Sequence, residues 1–276
     1  MTLFGDYWFG RSEPLPSAAL LKLLGEFGVV TSSARAATAR LCRRGLLDCS
    51  RSGRRTAYAL TDGANEIIRE GSRRIFSFGI ESEEWDERWC MLAFSIPEED
   101  RRTRSQLRTR LRWIGMAPLY DGVWVSPLDI SSDLTTLLVD FDVATYTVFR
   151  VPDQEFGPRH PLSAWDLQEV RQHYIDYIEL MSDLDAKLLR GQIGPAQALP
   201  ARTQAMAGWR QLPNLDPGLP EALLPADWPR ARARQLFERV YDGLGPLAEL
   251  RFRKIIGEFD PSTADLARHM RTEDFV

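Results

Sequence analysis

The chain has 276 residues, enough for two or three domains with a core in each, and it is 44% hydrophobic and 27% charged, with a net charge of −4. No apolar run approaches the roughly 18–20 residues needed to span a bilayer. MTLFGDYWFG at the start has neither a basic n-region nor a small-residue cleavage site, so a cytoplasmic protein is expected. Cys42, Cys49 and Cys90 have no metal-ligand spacing and are odd in number, which points to reduced thiols. The net charge conceals an asymmetry. Residues 1–80 hold 12 Lys+Arg against 7 Asp+Glu, whereas residues 81–276 hold 23 against 32. A basic first part ahead of an acidic remainder suggests that the first part alone meets a polyanion.

Leu3, Phe4, Tyr7, Trp8 and Phe9 form an aromatic cluster expected to pack under the first domain. Ser17 opens a helix after Pro14 and Pro16, with Leu20, Leu21, Leu23, Leu24 and Phe27 as its apolar stripe and Gly28 as its end. Thr31 or Ser32 is expected to cap the next, short helix. In it Ala34, Ala37 and Leu41 recur at i, i+3 and i+7 and define the buried side, with Thr38 at the edge of the core. The opposite side carries Ser32, Arg35, Ala36, Ala39 and Arg43, with Ser33 beside them at the helix start and Arg40 and Arg44 towards one flank. Small residues at 36 and 39 let such a helix sink into a groove. Arg35 is placed for base edges, since arginine pairs bidentately with guanine, and Arg40, Arg43 and Arg44 for phosphates. A solvated basic face explains the helix taken alone equally well. The adjoining hairpin favours DNA. Leu46 and Leu47 begin a strand, Thr56, Tyr58 and Leu60 fit its return by alternation, and Arg51, Gly53, Arg54 and Arg55 make a turn with three cations and no acid. Helix, turn, basic helix and basic hairpin in that order read as a winged helix-turn-helix. Thr61 then caps a helix, TDGANEIIREGSRRIF.

The middle reads as βαββαβ, a ferredoxin-like order. Arg88–Ile96 is an almost continuous apolar strand. Glu98, Glu99 and Asp100 precede a helix with Leu107, Leu111 and Ile114 inward, and acids at a helix start suit its dipole. Met116–Leu119 and Gly122–Ser126 form a hairpin around Asp121-Gly122, Ser132–Phe141 a second helix, and Val143–Val151 a last strand. The first of these helices carries arginines at 101, 102, 104, 108, 110 and 112, either a solvated face or a site for ligand or DNA phosphates. Past Pro158 and Pro161 the chain is expected to be helical. Ser163 and Asp166 suit a helix start, and the apolar stripe from Leu167 to Leu188 ends at Gly191. Residues 191–200 and 213–229 read as linkers, Arg230–Leu244 as a helix broken at Gly245-Pro246, and Leu247–Phe259 and Ser262–Met270 as further helices. The fold class is α+β, divided at 1–80, 81–155 and 156–276.

No GxSxG, P-loop or Gly-rich dinucleotide turn is present, and His160, His173 and His269 are scattered, so neither a cofactor nor a metal site is indicated and no enzyme is expected. The alternative is a metal-dependent nucleic-acid-processing enzyme built on the middle domain. It needs clustered carboxylates, yet only Asp86 and Glu87 precede the first strand and Ser95 stands at its end.

LFGDYW, SSARAATARLCRRGLL, SGRRTAYALTDGA, WDERWCMLAFSIPEEDR, LRTRLRWIGMAPLYDGVWVSP and LPEALLPADWPRARARQLFERVY, in that order over nearly the whole chain, resemble the PaaX-type repressors of aromatic-acid catabolism. Relatives often have several residues before the LFGDY-like segment, so a short first helix is expected here, and they commonly carry an aliphatic residue where this chain has Thr38. The resemblance implies an N-terminal winged helix, a central domain similar to the Cas2 nuclease fold and a helical C-terminal part. It further implies a homodimeric repressor on an inverted-repeat operator, released by a small-molecule effector of the acyl-CoA thioester class, phenylacetyl-CoA first. The effector pocket is unknown; Trp113, Trp124 and the arginines of 101–112 are candidate linings. A structural DNA-binding protein without an effector is the remaining reading.

Overall fold

The computed structural model describes residues 1–53, 55–80 and 84–275. Its elements run α1 (Thr2–Tyr7), β1 (Leu15–Pro16), α2 (Ser17–Gly25), α3 (Thr31–Arg43), β2 (Leu47–Ser52), β3 (Arg55–Leu60) and α4 (Asp62–Ser77). Then come β4 (Arg88–Ser95), α5 (Arg101–Trp113), β5 (Ala117–Tyr120), β6 (Val123–Ser126), α6 (Ser131–Asp140) and β7 (Thr145–Pro152). The remainder is α7 (Leu167–Leu189), α8 (Pro195–Trp209), α9 (Leu212–Leu215) and α10 (Arg230–Gly257). The fold is α+β with two antiparallel sheets, ordered β1-β3-β2 and β5-β6-β4-β7. By compactness it divides into two units, neither of them one continuous stretch: Met1–Ile80 with His173–Pro213 and Pro229–Val276, and Glu81–Gln172 with Asn214–Trp228.

The core of the first unit is aromatic. Tyr7 stacks on Phe252 at 4.6 Å, and Trp209 lies on Phe237 at 4.8 Å with the rings nearly parallel. The Trp209 indole donates to the Ile75 carbonyl at 3.0 Å, and Phe76 meets Phe237 at 6.0 Å, so the end of α4 is held by α8 and α10. Within this apolar packing sits a wholly buried guanidinium, that of Arg202. Its Nε donates to the Tyr241 carbonyl at 3.0 Å and its Nη2 to the Met270 carbonyl. Its cation lies 3.7 Å from the Tyr241 ring centroid, and Nη1 stands 3.9 Å from the Asp6 carboxylate. The Tyr241 hydroxyl donates to Asp6 at 2.9 Å. Burial raises the Asp6 carboxyl against the opposing pull of Arg202, and pushes the Tyr7 hydroxyl up to about 12.

α10 departs from the expected break. It runs unbroken for 28 residues through Gly245 and Pro246. A proline inside a helix forfeits one backbone bond, but Leu244, Gly245, Ala248 and Phe252 are all buried around it and keep the helix together. Gly245 is required by packing: a Cβ there would stand 2.3 Å from Cδ2 of His269, whose ring is held by Glu249 at 2.6 Å. The expected helix over Ser262–Met270 is reduced to a single 3-10 turn at Ala264–Leu266. That stretch instead commits its backbone to other partners, with the Arg268 and Met270 amides donating to the Tyr7 and Asp6 carbonyls. Likewise residues 191–200 are no extended link, since α8 begins at Pro195 and continues through Pro200.

The second unit shows the βαββαβ order. β4 is central and pairs with β7 over eight residues, Arg88↔Pro152 to Ser95↔Thr145, without a register shift. One face of this sheet packs Cys90, Leu92 and Trp124 against Leu107 and Leu111 of α5 and Leu134 and Leu138 of α6. Its other face packs Trp89, Met91, Leu119 and Val125 against Trp85, Phe156, Leu162, Trp165 and Leu223.

The buried cation sets the first expected outcome. Arg202→Met leaves Asp6 without its counter-charge and removes the guanidinium bonds to the Tyr241 and Met270 carbonyls, and should lower the unfolding free energy by about 3–5 kcal/mol, the range for breaking a buried ion pair from one side. Lys22→Met removes the exposed pair with Glu258 and should cost less than about 1 kcal/mol. Urea unfolding followed by tryptophan fluorescence measures both.

Candidate nucleic-acid interface

α2 is followed by a turn ending at Gly28, whose φ of +73° lets the Val29 amide reach back to the Leu24 carbonyl at 3.2 Å. α3 then starts one residue earlier than expected. Val30 is extended and takes the N-cap position, its carbonyl accepting from Ala34 at 3.0 Å, so Thr31 and Ser32 are helical residues and no side chain caps the helix. Thr31, Ser32 and Ser33 are all exposed.

The buried line of α3 is Ala34 and Thr38, with Ala37, Leu41 and Cys42 half-buried. Compared with the expected Ala34, Ala37, Leu41 line, the inward edge has turned to place Thr38 at 4% exposure. Its hydroxyl is satisfied inside the helix, donating to the Ala34 carbonyl at 3.1 Å and the Arg35 carbonyl at 2.9 Å, which permits its burial. With that face inward, Ser32, Ser33, Arg35, Ala36, Ala39, Arg40, Arg43 and Arg44 are left on the outer side, Arg43 and the others at least partly exposed.

Gly45, at φ +66°, turns the chain out of α3, and the Leu46 amide donates to the Leu41 carbonyl at 3.0 Å. Thr61 fastens this corner: its hydroxyl donates to the Gly45 carbonyl at 2.8 Å and accepts from the Ala64 amide at 3.1 Å, so one side chain ties the end of α3 to the start of α4. β2 and β3 pair from Leu47↔Leu60 to Ser52↔Arg55, with Gly53 at φ +59° in the connecting turn. Arg51 and Arg55 are exposed near the tip, while Arg54 lies outside the described residues. β1 was not expected from the sequence. Leu15 and Pro16 pair with Tyr58 and Ala57 and widen the hairpin into a three-stranded sheet. Two residues carry no periodic signal, and the one available hint was Leu15 as a lone apolar residue between prolines.

Arg35, Arg40, Arg43, Arg44, Arg51 and Arg55 make no ion pair and no side-chain hydrogen bond among the described residues, and none meets an aromatic ring. Other arginines of this unit are used internally. Arg251 forks onto Glu26 with two bonds of 2.8 Å, which holds the Glu26 carboxyl below its usual range, and Arg234 donates to the Phe76 and Phe78 carbonyls. These six cations therefore stand uncompensated on the surface among the described residues. Such a surface attracts polyanions.

Of the two carboxylates weighed for metal catalysis, Asp86 is taken up by an arginine. Arg150 donates to Asp86 at 2.8 Å and to Asp129 at 3.0 Å, and among the described residues no three His, Cys, Asp or Glu side chains are grouped to hold a metal. His160 is held by Asp153 at 2.8 Å, an oxygen that also accepts from the Trp89 indole. Among the described residues no helix is long and apolar enough to cross a membrane.

Three family models match the chain in order. They are described as PaaX-like protein over residues 1–64, PaaX protein central Cas2-like domain over 82–162, and PaaX-like protein C-terminal domain over 165–254. Among curated proteins, the Transcriptional repressor PaaX of Escherichia coli (strain K12) is 30% identical over 256 residues, spanning 90% of this chain and 79% of that one. Among solved structures, the uncharacterized protein Rv0674 from Mycobacterium tuberculosis superposes with a TM-score of 0.58, covering 92% of this chain and 97% of that chain at 21% identity, a likeness of fold alone. With family models along its length and a curated relative across nine-tenths of it, the chain belongs to the PaaX family.

Proposed function

We propose that this protein is a transcriptional repressor and not an enzyme, reading double-stranded operator DNA with a winged helix-turn-helix formed by α2, α3 and the β1-β3-β2 sheet. The observation that carries the reading is the set of six arginines on α3 and the hairpin with no internal partner among the described residues. The name of the Escherichia coli relative agrees with it. In this reading Arg35, on the first turns of α3, addresses base edges, and the small side chains of Ala36 and Ala39 let the helix backbone approach the floor of the major groove. Arg40, Arg43 and Arg44 meet phosphates, Ser32 and Ser33 supply hydroxyls to the backbone, and Arg51, Arg54 and Arg55 carry the hairpin against it.

The reading extends to a cytoplasmic homodimer on an inverted repeat, two copies of the winged helix lying one or two helical turns apart. Functionally it divides the chain at 1–80 for DNA, 81–155 for the Cas2-like domain and 156–276 for the helical part. Release from the operator is assigned to an aryl-acyl-CoA, phenylacetyl-CoA first, which must bind the released geometry more tightly than the bound one.

Operator duplexes selected from a random pool provide the test. Arg35→Ala should bring the affinities for operator and scrambled DNA together, while Arg51→Ala/Arg55→Ala should weaken both alike and flatten the salt dependence by about 0.9 per lost phosphate contact. Equal wild-type affinity for operator and scrambled duplex at physiological salt contradicts the repressor reading. In the same assay phenylacetyl-CoA should release the operator, and free coenzyme A and phenylacetate should not. If no member of a panel of acyl-CoA thioesters releases it, the effector assignment falls. Labelled DNA and RNA incubated with the protein and Mg²⁺ or Mn²⁺ should remain intact, whereas cleavage points to the enzyme alternative.

A further inference from the structure

The second unit is acidic, with 20 Asp+Glu against 10 Lys+Arg, but its charges are segregated. Six of the ten cations lie on α5, and none of the acids does. Four of the six are used within the unit. Arg104 donates to the Ile96 carbonyl at 2.6 Å, Arg108 to the Asp121 carbonyl at 3.1 Å and to its carboxylate, and Arg101 pairs with Glu98 at 2.8 Å. Arg112 lies over the Trp124 ring at 5.3 Å. Arg102 and Arg110 are exposed and have no acid, carbonyl or ring partner among the described residues.

These two arginines share a surface. With Leu107 and Leu111 buried against the sheet, the outward side of α5 shows Arg102, Gln106, Thr109 and Trp113, with Arg110 on its flank. Trp113 is 74% exposed, an indole that its own fold leaves uncovered. The helical stretch from Arg102 to Arg110 spans about 12 Å along the axis, comparable with the major-groove width of about 12 Å. Two guanidinium groups so spaced suit phosphates on the two walls of one groove. Arginine and tryptophan also occur at protein interfaces, but this face holds no acid, and its two unpaired guanidinium groups match the repeating charge of a phosphate backbone. The acidic remainder of the unit repels a polyanion elsewhere, which leaves α5 as its point of approach.

We propose that the outer face of α5 is a second nucleic-acid contact, binding duplex phosphates without sequence preference through Arg102 and Arg110. It rests on the DNA-binding reading of the winged helix but fails separately from it. The measurement is anisotropy of a labelled non-operator duplex with the full-length protein between 50 and 200 mM salt, the range over which phosphate contacts are screened. Arg102→Ala/Arg110→Ala should weaken binding by on the order of tenfold at low salt, and reduce the slope of log affinity against log salt by about 2, two contacts at about 0.9 each. Both side chains lack partners among the described residues, so its unfolding midpoint should match that of the wild type. Arg190→Ala/Arg268→Ala removes the same charge from exposed positions outside α5 and should change affinity less than about twofold. An unchanged affinity and slope in the α5 variant overturns the proposal, as does an equal loss in the Arg190/Arg268 control. If Arg51→Ala/Arg55→Ala weakens binding where the α5 variant does not, the winged-helix reading stands and only α5 falls. No DNA binding by the wild type removes both.

Discussion

Arg202 holds a position that few charged residues occupy, at zero exposure among tyrosines and phenylalanines. Isolated burial of a cation is prohibitively unfavourable, so the core closes only with partners around it. They are drawn from widely separated parts of the sequence: Asp6 from α1, the Tyr241 ring and carbonyl from α10, and the Met270 carbonyl from the closing stretch. The partners are also tied to one another, Tyr241 to Asp6 through its hydroxyl and the Met270 amide to the Asp6 carbonyl. The aromatic stack around this cluster, from Tyr7 on Phe252 to Trp209 on Phe237, forms the apolar shell that makes the cation's pairing obligatory.

Arginine serves two opposite purposes in this chain. Where rigidity is needed, guanidinium groups are bonded to carboxylates or carbonyls, as at Arg251, Arg234, Arg150 and Arg104. On α3 and the hairpin, where the chain meets solvent, the described ones have no partner among the described residues. Sequence composition does not separate these uses, since all are arginines in a chain with three lysines. Their partners do. The same distinction shows why net charge misleads for this protein: the cations that matter for a polyanion are the ones no acid has claimed.

Local periodicity made much of the fold legible. α3, the hairpin, the βαββαβ order and α7 each arise from patterns of 3.6 or 2 confined to one stretch, and Thr61 was readable as a cap because its hydroxyl acts on the next turn. What escaped was decided at a distance. β1 exists because β3 lies beside it, α10 crosses Pro246 because its neighbours bury that turn, and Ser262–Met270 gives up helix for bonds to Asp6 and Tyr7. At the candidate interface the exposure of the described arginines was legible in the same way. Its arginines lie outward as a set, while the inward turn of Thr38 and the uncapped start at Val30 depended on a hydroxyl bonding backward and on a backbone angle.

The Met270 carbonyl on Arg202 gives the order of synthesis a physical meaning. The arginines of α3 and the hairpin emerge early, but in the unit that carries them the buried guanidinium has no acceptor for Nη2 until residue 270 has been made. A chain stopped in α10 lacks that one acceptor of its buried cation. Of the buried cation's acceptors, the Met270 carbonyl is the last in chain order.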